Sequence, residues 1–200
     1  VLLGGIYKSL QSEQMPSSSW APSKAQLGLR DLEREARIQK IPLNKPKSHP
    51  QRSVNAQRLL CFASKEMRRD LTHDLYQAYW QRGEDITQEE TLRKYAQKYG
   101  ISEDVWKKEE IKQKLFDHTD EVISKGAFGV PFISVDDKYW WGQDRLHFLD
   151  AYLQNPTSQR HACTKEYWPA ISQKLQEMPR PKIHFYHDFA SPFSYLGSTQ

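Results

Sequence analysis

Two short stretches of this chain carry residues whose types and spacing can do chemistry. The first, "DFASPFSYLG", runs from position 188 to 197. Ser191 suits a helix N-cap, because its hydroxyl oxygen can accept a hydrogen bond from an orphan amide of the first turn. Pro192 suits the first helical position, where no backbone N–H is needed. The free amides of a helix start favour an anion by about 0.3–1 kcal/mol. A thiolate seated there is stabilised, and a serine hydroxyl can donate to it. Taken alone, the stretch better fits an ordinary cap on an ordinary helix. The second stretch is "GAFGVPFISV", residues 126–135. Pro131 cannot donate into a sheet ladder. A cis bond there would make a sharp turn and leave the Val130 backbone free to pair with an extended ligand. An ordinary trans-proline at a sheet edge is the plainer alternative.

The elements around these stretches follow from pattern. "VLLGGIYKS" reads as the tail of a buried strand entering a turn. A Ser- and Pro-rich loop follows, then a helix from Lys24 to about Ile38, then a second proline-rich loop. A long helical region runs from Ser53 to Gly83, with Leu59, Leu60, Phe62, Met67, Leu71, Leu75, Tyr79 and Trp80 on repeating faces. Thr87 and Glu90 stand in capping-box spacing before the next helix, which Gly100 closes. One or two further helices end at Gly126. Then "PFISV", "DDK" and "YWW" read as a hairpin, and Asp144 can cap the helix "RLHFLDAYL". A linker with a short helix leads to "KIHFYHDF", a strand, and to the helix opened by Ser191.

Composition narrows the function classes. The 200 residues carry a net charge of +4 with histidines neutral, and signs alternate in "SKEMRRD" and "DVWKKEEIKQK", as on exposed helix faces. A nucleic-acid footprint would need clustering with groove-reading or stacking motifs. No apolar run spans a bilayer. "VLLGGIY" makes a poor signal peptide. The two cysteines, Cys61 and Cys163, form no CxxC and no zinc-ligand spacing, which fits a reducing compartment. Cys61, in "LLCFA", reads as a core residue.

Together the two stretches are more specific. The sequence resembles the kappa-class glutathione transferases and the related 2-hydroxychromene-2-carboxylate isomerases. "HDFASPFSYLG" is similar to that family's opening strand and active-site helix, and "GAFGVPFISVDDKYWWGQDRL" to its closing segment. "LLGGIYK", "PSKAQLGLRDLER" and "AYWQRGEDI" match in between, so the likeness covers residues 1 to about 153 and 182–200. The resemblance implies an α/β fold: a thioredoxin-like domain with an inserted all-helical domain, the family segments standing in permuted order. It divides the chain into thioredoxin-like parts at 1–23 and 127–153, a helical insertion at 24–126, and a linker at 154–181. Residues 182–200 are then the first strand and helix start of a thioredoxin-like domain, either a second copy or completing the first.

The resemblance also implies an enzyme, a glutathione-dependent isomerase or transferase, with glutathione as cofactor. Ser191 corresponds to the serine that bonds the glutathione sulfur, with Phe193 beside it. Val130, before Pro131, corresponds to the valine that pairs with the glutathione backbone. Gln143 and Asp144 look like the holders of its γ-glutamyl end, and Lys24 like the lysine near the site. The family often has an Asn soon after "G-I-x-K"; here "KSLQSEQ" has none. Related disulfide oxidoreductases carry CxxC where this chain has Ser191-Pro192-Phe193-Ser194, so dithiol chemistry is excluded there. Tyr7, Trp20, Tyr79 and Trp80 can line an acceptor pocket, though aromatics at helical spacing usually pack a core. The implied partner is a small electrophile; charge pattern and hydropathy lead us to expect no nucleic acid and no membrane, and a homodimer is left open. The implied compartment is the cytoplasm, with mitochondria and peroxisomes as alternatives.

The order of segments is the anomaly: the family's first strand comes last here. A piece of a tandem protein, a circular permutant, or a truncated or misassembled reading frame would each give it. The absent starting Met and the ending "YLGSTQ" favour the tandem piece.

Overall fold

Leu59, Leu71, Leu92, Val105 and Trp106 lie on four separate segments and have no solvent exposure. Their convergence defines the main body. The computed structural model describes residues 1–10, 21–102, 105–154, 186, 188 and 190–192. The helices that meet at this core are α3 (Val54–Phe62), α4 (Lys65–Trp80) and α5 (Glu89–Lys98), with a 3-10 turn at Val105–Lys107. Each turns a stripe of apolar residues inward, as the three-to-four spacing requires. α6 (Glu109–Ser124) adds Ile111 and Leu115, which pack with Cys61 in a smaller cluster.

The long helical region expected from Ser53 onward is two helices. Ala63 is extended (ψ 137°), and the Ser64 hydroxyl accepts the Met67 N–H at 3.3 Å, capping α4. Arg68 closes the gap from the other side. Its Nε donates to the Leu60 carbonyl at 3.1 Å and its Nη2 to the Ala63 carbonyl at 3.0 Å, satisfying the end of α3. The capping box is not formed. Thr87 turns its amide and hydroxyl to Asp85 Oδ1 at 2.9 and 2.6 Å. α5 starts two residues later with Glu89 and Glu90 in its first turn, a placement its dipole favours. Asp85 therefore outcompetes the helix start for the threonine.

The N-terminal strand is also corrected. Residues Leu3–Ser9 form a helix, α1. Ile6 is fully buried, the Leu2 N–H donates to Thr119 Oγ1 at 3.0 Å, and Thr119 Oγ1 donates to the Leu115 carbonyl at 2.7 Å. A Cβ on Gly5 would lie 3.1 Å from Thr119 Cγ2. The close approach of α1 to α6 thus needs the small residue there. A short apolar run has no decisive period, and contact with α6 settles it as helix.

α2 (Pro22–Ile38) buries no residue. It begins on a proline in its first turn. It ends with the Ile41 N–H on the Ala36 carbonyl at 2.8 Å and Lys40 left-handed at φ 55°, the geometry of a Schellman close. The hairpin appears as expected: β1 (Phe132–Val135) and β2 (Lys138–Trp141) pair antiparallel, Phe132 opposite Trp141 and Val135 opposite Lys138. Asp136, in the two-residue turn, has φ 52°, a conformation aspartate tolerates.

The chain divides into two compact units, Val1–Gln143 and Asp144–Gln200. In the second, α7 (Leu146–Gln154) buries Tyr152 and follows a 3-10 turn that begins at Gln143. Among the described residues the protein is mostly helical with one small antiparallel sheet, and no helix is long and apolar enough to cross a membrane.

Candidate functional site

The segment entering β1 is built from the sheet outward. The Gly142 N–H donates to the Pro131 carbonyl at 3.1 Å, extending the hairpin by one pairing beyond Phe132–Trp141. The Val130–Pro131 bond is cis, one of the two readings the sequence left open. Val130 is 42% exposed, and no backbone hydrogen bond joins it to another described residue. A backbone N–H and C=O outside any ladder at the entry of a strand can be paired by an extended ligand backbone. Phe128 and Trp141 flank this segment, their rings 5.2 Å apart. Gly129 admits them: a Cβ there would lie 2.7 Å from Trp141 Nε1, so any side chain must displace the indole.

Gln143 and Asp144 follow directly on Gly142 (φ 93°). Both are exposed. Asp144 pairs with the adjacent Arg145 guanidinium at 3.1 Å, and it lies within the 3-10 turn before α7. Lys24 is exposed in the first turn of α2.

Ser191 is half-buried and stands directly before the helical residue Pro192. Its N–H donates to the Asp188 carbonyl at 3.1 Å, and the Ala190 N–H donates to Asp188 Oδ1 at 2.7 Å. Asp188 therefore shapes the turn that presents the serine. Sequence reasoning quoted this aspartate without giving it a role; an Asp three residues before a serine cap is the signal of such an Asx turn. Phe193 lies outside the described residues, as do Trp20 and Cys163.

The other candidate groups belong to packing. Tyr79 is buried, its hydroxyl 2.7 Å from His49 Nδ1 and accepting the Gln51 N–H at 3.2 Å. Trp80 packs edge-on against it, ring centroids 4.9 Å apart. Cys61 is buried, and burial pushes its thiol above the ordinary value, as befits the core residue the sequence suggested. Among the described residues no group of acidic, histidine or cysteine side chains could hold a metal ion.

Comparisons with known proteins give the family. Residues 4–154 match the DSBA-like thioredoxin domain, and the chain belongs to that family. It is 32% identical over 171 residues to glutathione S-transferase kappa 1 of Rattus norvegicus, covering 76% of this chain and 74% of that protein. It is 29% identical over 142 residues to 2-hydroxychromene-2-carboxylate isomerase of Sphingobium xenophagum, covering 69% and 72%. A solved structure of a 2-hydroxychromene-2-carboxylate isomerase shares the fold, with a TM-score of 0.69 at 20% identity over 77% of each chain. Lys24, Val130, Pro131, Gln143 and Asp144 fall inside the matched region; Ser191 and Phe193 fall beyond it.

Proposed function

We propose that this protein is a glutathione-dependent isomerase or transferase acting on an aromatic or enone-type electrophile. The observation that carries the reading is the backbone of half-exposed Val130, unladdered to any described residue, ahead of Pro131 and inside the stretch matched to the family. The residues fit a peptide-like thiol: Val130 offers one donor and one acceptor, and the Ser191–Ser194 tetrad position holds no cysteine to compete for it. Glutathione, when bound, supplies a thiolate that adds to an electrophilic carbon and leaves either unchanged or as the conjugate.

The chain's own groups hold and charge that thiol. Val130 pairs with the ligand backbone and fixes its register. Gln143 and Asp144 receive the γ-glutamyl end, Asp144 by attraction to its ammonium group. Lys24 favours an anionic group nearby. Ser191 donates a hydrogen bond from its hydroxyl to the sulfur, and the amides of its helix start add a favourable dipole. An ordinary thiol has a pKa of about 8.5, and both effects favour the charged form at neutral pH. Phe193 stands beside the serine. In this reading residues 24–126 are a helical insertion in a thioredoxin-like domain formed by 1–23 and 127–153. The linker at 154–181 beyond Gln154 and most of residues 182–200, read from the resemblance as a first strand and active-site helix start, lie outside the described residues.

The test is titration calorimetry of the full chain with glutathione, then turnover with an aromatic electrophile. Binding, and activity that falls on Ser191→Ala, are expected. A folded protein that binds no glutathione would instead be a non-catalytic thioredoxin-like module.

A further inference from the structure

The loop after α2 is unlike the rest of the surface. Residues 39–53 contain Lys40, Lys45, Lys47 and Arg52 and no acidic residue. All four cations are exposed, and among the described residues none forms an ion pair. The nearest acids in sequence are already engaged within α2. Asp31 pairs with Arg34 at 2.6 Å, Glu33 with Arg37 at 3.9 Å, and Glu35 accepts from Gln39 at 3.3 Å.

The loop is also held in place. The Asn44 N–H donates to the Trp80 carbonyl, and the Ile86 N–H to Gln51 Oε1 at 3.0 Å. The His49 ring lies 5.2 Å from that of Trp80, and Pro46 is buried. The cations therefore stand on a pinned frame. Lys40 occupies the left-handed position that closes α2, where glycine would be the less strained choice. Two aliphatic residues within two positions of Lys40 are exposed as well, Ile38 at 73% and Ile41 at 49%.

We propose that residues 38–52 form a docking surface for an anionic lipid bilayer, the four cations over lipid phosphates and Ile38 and Ile41 in the headgroup boundary. Charge complementarity calls for a polyanion, and the two exposed isoleucines choose a bilayer, which offers them an apolar layer. A nucleic acid would instead profit from rings to stack on bases. The segment has no Phe, Tyr or Trp, and His49 is engaged by Tyr79 and Trp80. This peripheral contact departs from the expectation of no membrane partner, which rested on the lack of a spanning apolar run.

Co-sedimentation of the full chain with vesicles tests it. Phosphatidylcholine vesicles with about a third phosphatidylglycerol should bind the protein, and raising salt should release it. Pure phosphatidylcholine should bind little. Each cation removed should weaken binding about fivefold. Lys40→Gly should do so without harming the fold, and Lys45→Glu with Lys47→Glu should abolish binding while the thermal melt is kept. Ile41→Ser should weaken vesicle binding and leave heparin binding unchanged. Equal binding to both vesicle types, or no effect of the charge reversal, would overturn the proposal. So would tighter binding to duplex DNA than to vesicles together with an inert Ile41→Ser, which would reassign the patch to nucleic acid.

Discussion

The helical body and the hairpin segment are made of similar residues put to opposite use. In the body, Trp106, Leu59, Leu71 and Leu92 are wholly buried. In the hairpin, Phe128, Val130, Tyr139 and Trp141 are 38–56% exposed. Burial of the first set supplies the stability, because buried apolar area is what folding gains most from. Exposure of the second leaves rings and an unladdered backbone at the entry of a strand, where a ligand can use them. Apolar content alone does not separate a core from a binding surface; neighbours do.

The contrast can be broken most forcefully at Trp106. Trp106→Ala should cost about 3–5 kcal/mol, read as a lower denaturant midpoint. A loss under about 1 kcal/mol would show that the body is loosely packed. Ser191→Ala should behave in the reverse way. We expect turnover with glutathione to fall about a hundredfold and the melting temperature to hold; an unchanged rate would remove the serine from the chemistry. Gly129→Ala sharpens the comparison within the hairpin. The added Cβ must move the Trp141 indole, a strain of about 1–2 kcal/mol. Tryptophan fluorescence and glutathione affinity should both change, with the helical body's far-UV signal intact.

A smaller effect concerns Tyr99. Burial, helped by the hydrogen bond to Asp74 at 2.6 Å and its charge, pushes this phenol up to about 12. Its folded pKa is raised above the unfolded value near 10. The stability it contributes is therefore complete below about pH 10 and lost as pH rises through about 12. Asp74→Asn should bring the titration down toward 10, followed by ultraviolet absorbance of the phenolate; burial keeps part of the shift. The smallest effect is Lys40→Gly, which relieves a left-handed lysine and should raise stability by about 0.5–1 kcal/mol, seen as a higher melting temperature.

Much of this was legible before any coordinates. The three-to-four spacing marked the helices, and "DDK" between β-branched and aromatic runs marked the hairpin, though Lys138 belongs to its second strand. Val-Pro before an apolar run left a cis bond open as one of two readings. The misses share a cause. "VLLGGIY" is too short for its period to choose helix or strand, and the choice fell to Thr119 on α6, 117 positions away. The capping box failed because Asp85, just outside it, bonds the threonine better. The break between α3 and α4 turned on Arg68 reaching back to two carbonyls, a contact no local pattern encodes.

The sequence by itself determined the chemistry on offer: a serine at a helix start, no cysteine within the tetrad, a valine before a proline, and basic residues unmixed with acids after α2. Those are matters of residue type and order, which need no fold to be read. Only the tertiary structure decided which apolar groups are core and which are surface, that Tyr79 and Trp80 pack a loop rather than open a pocket, and that the basic loop is pinned and unpaired. Burial and ion pairing depend on residues far apart in sequence, and these meet only when the chain has folded.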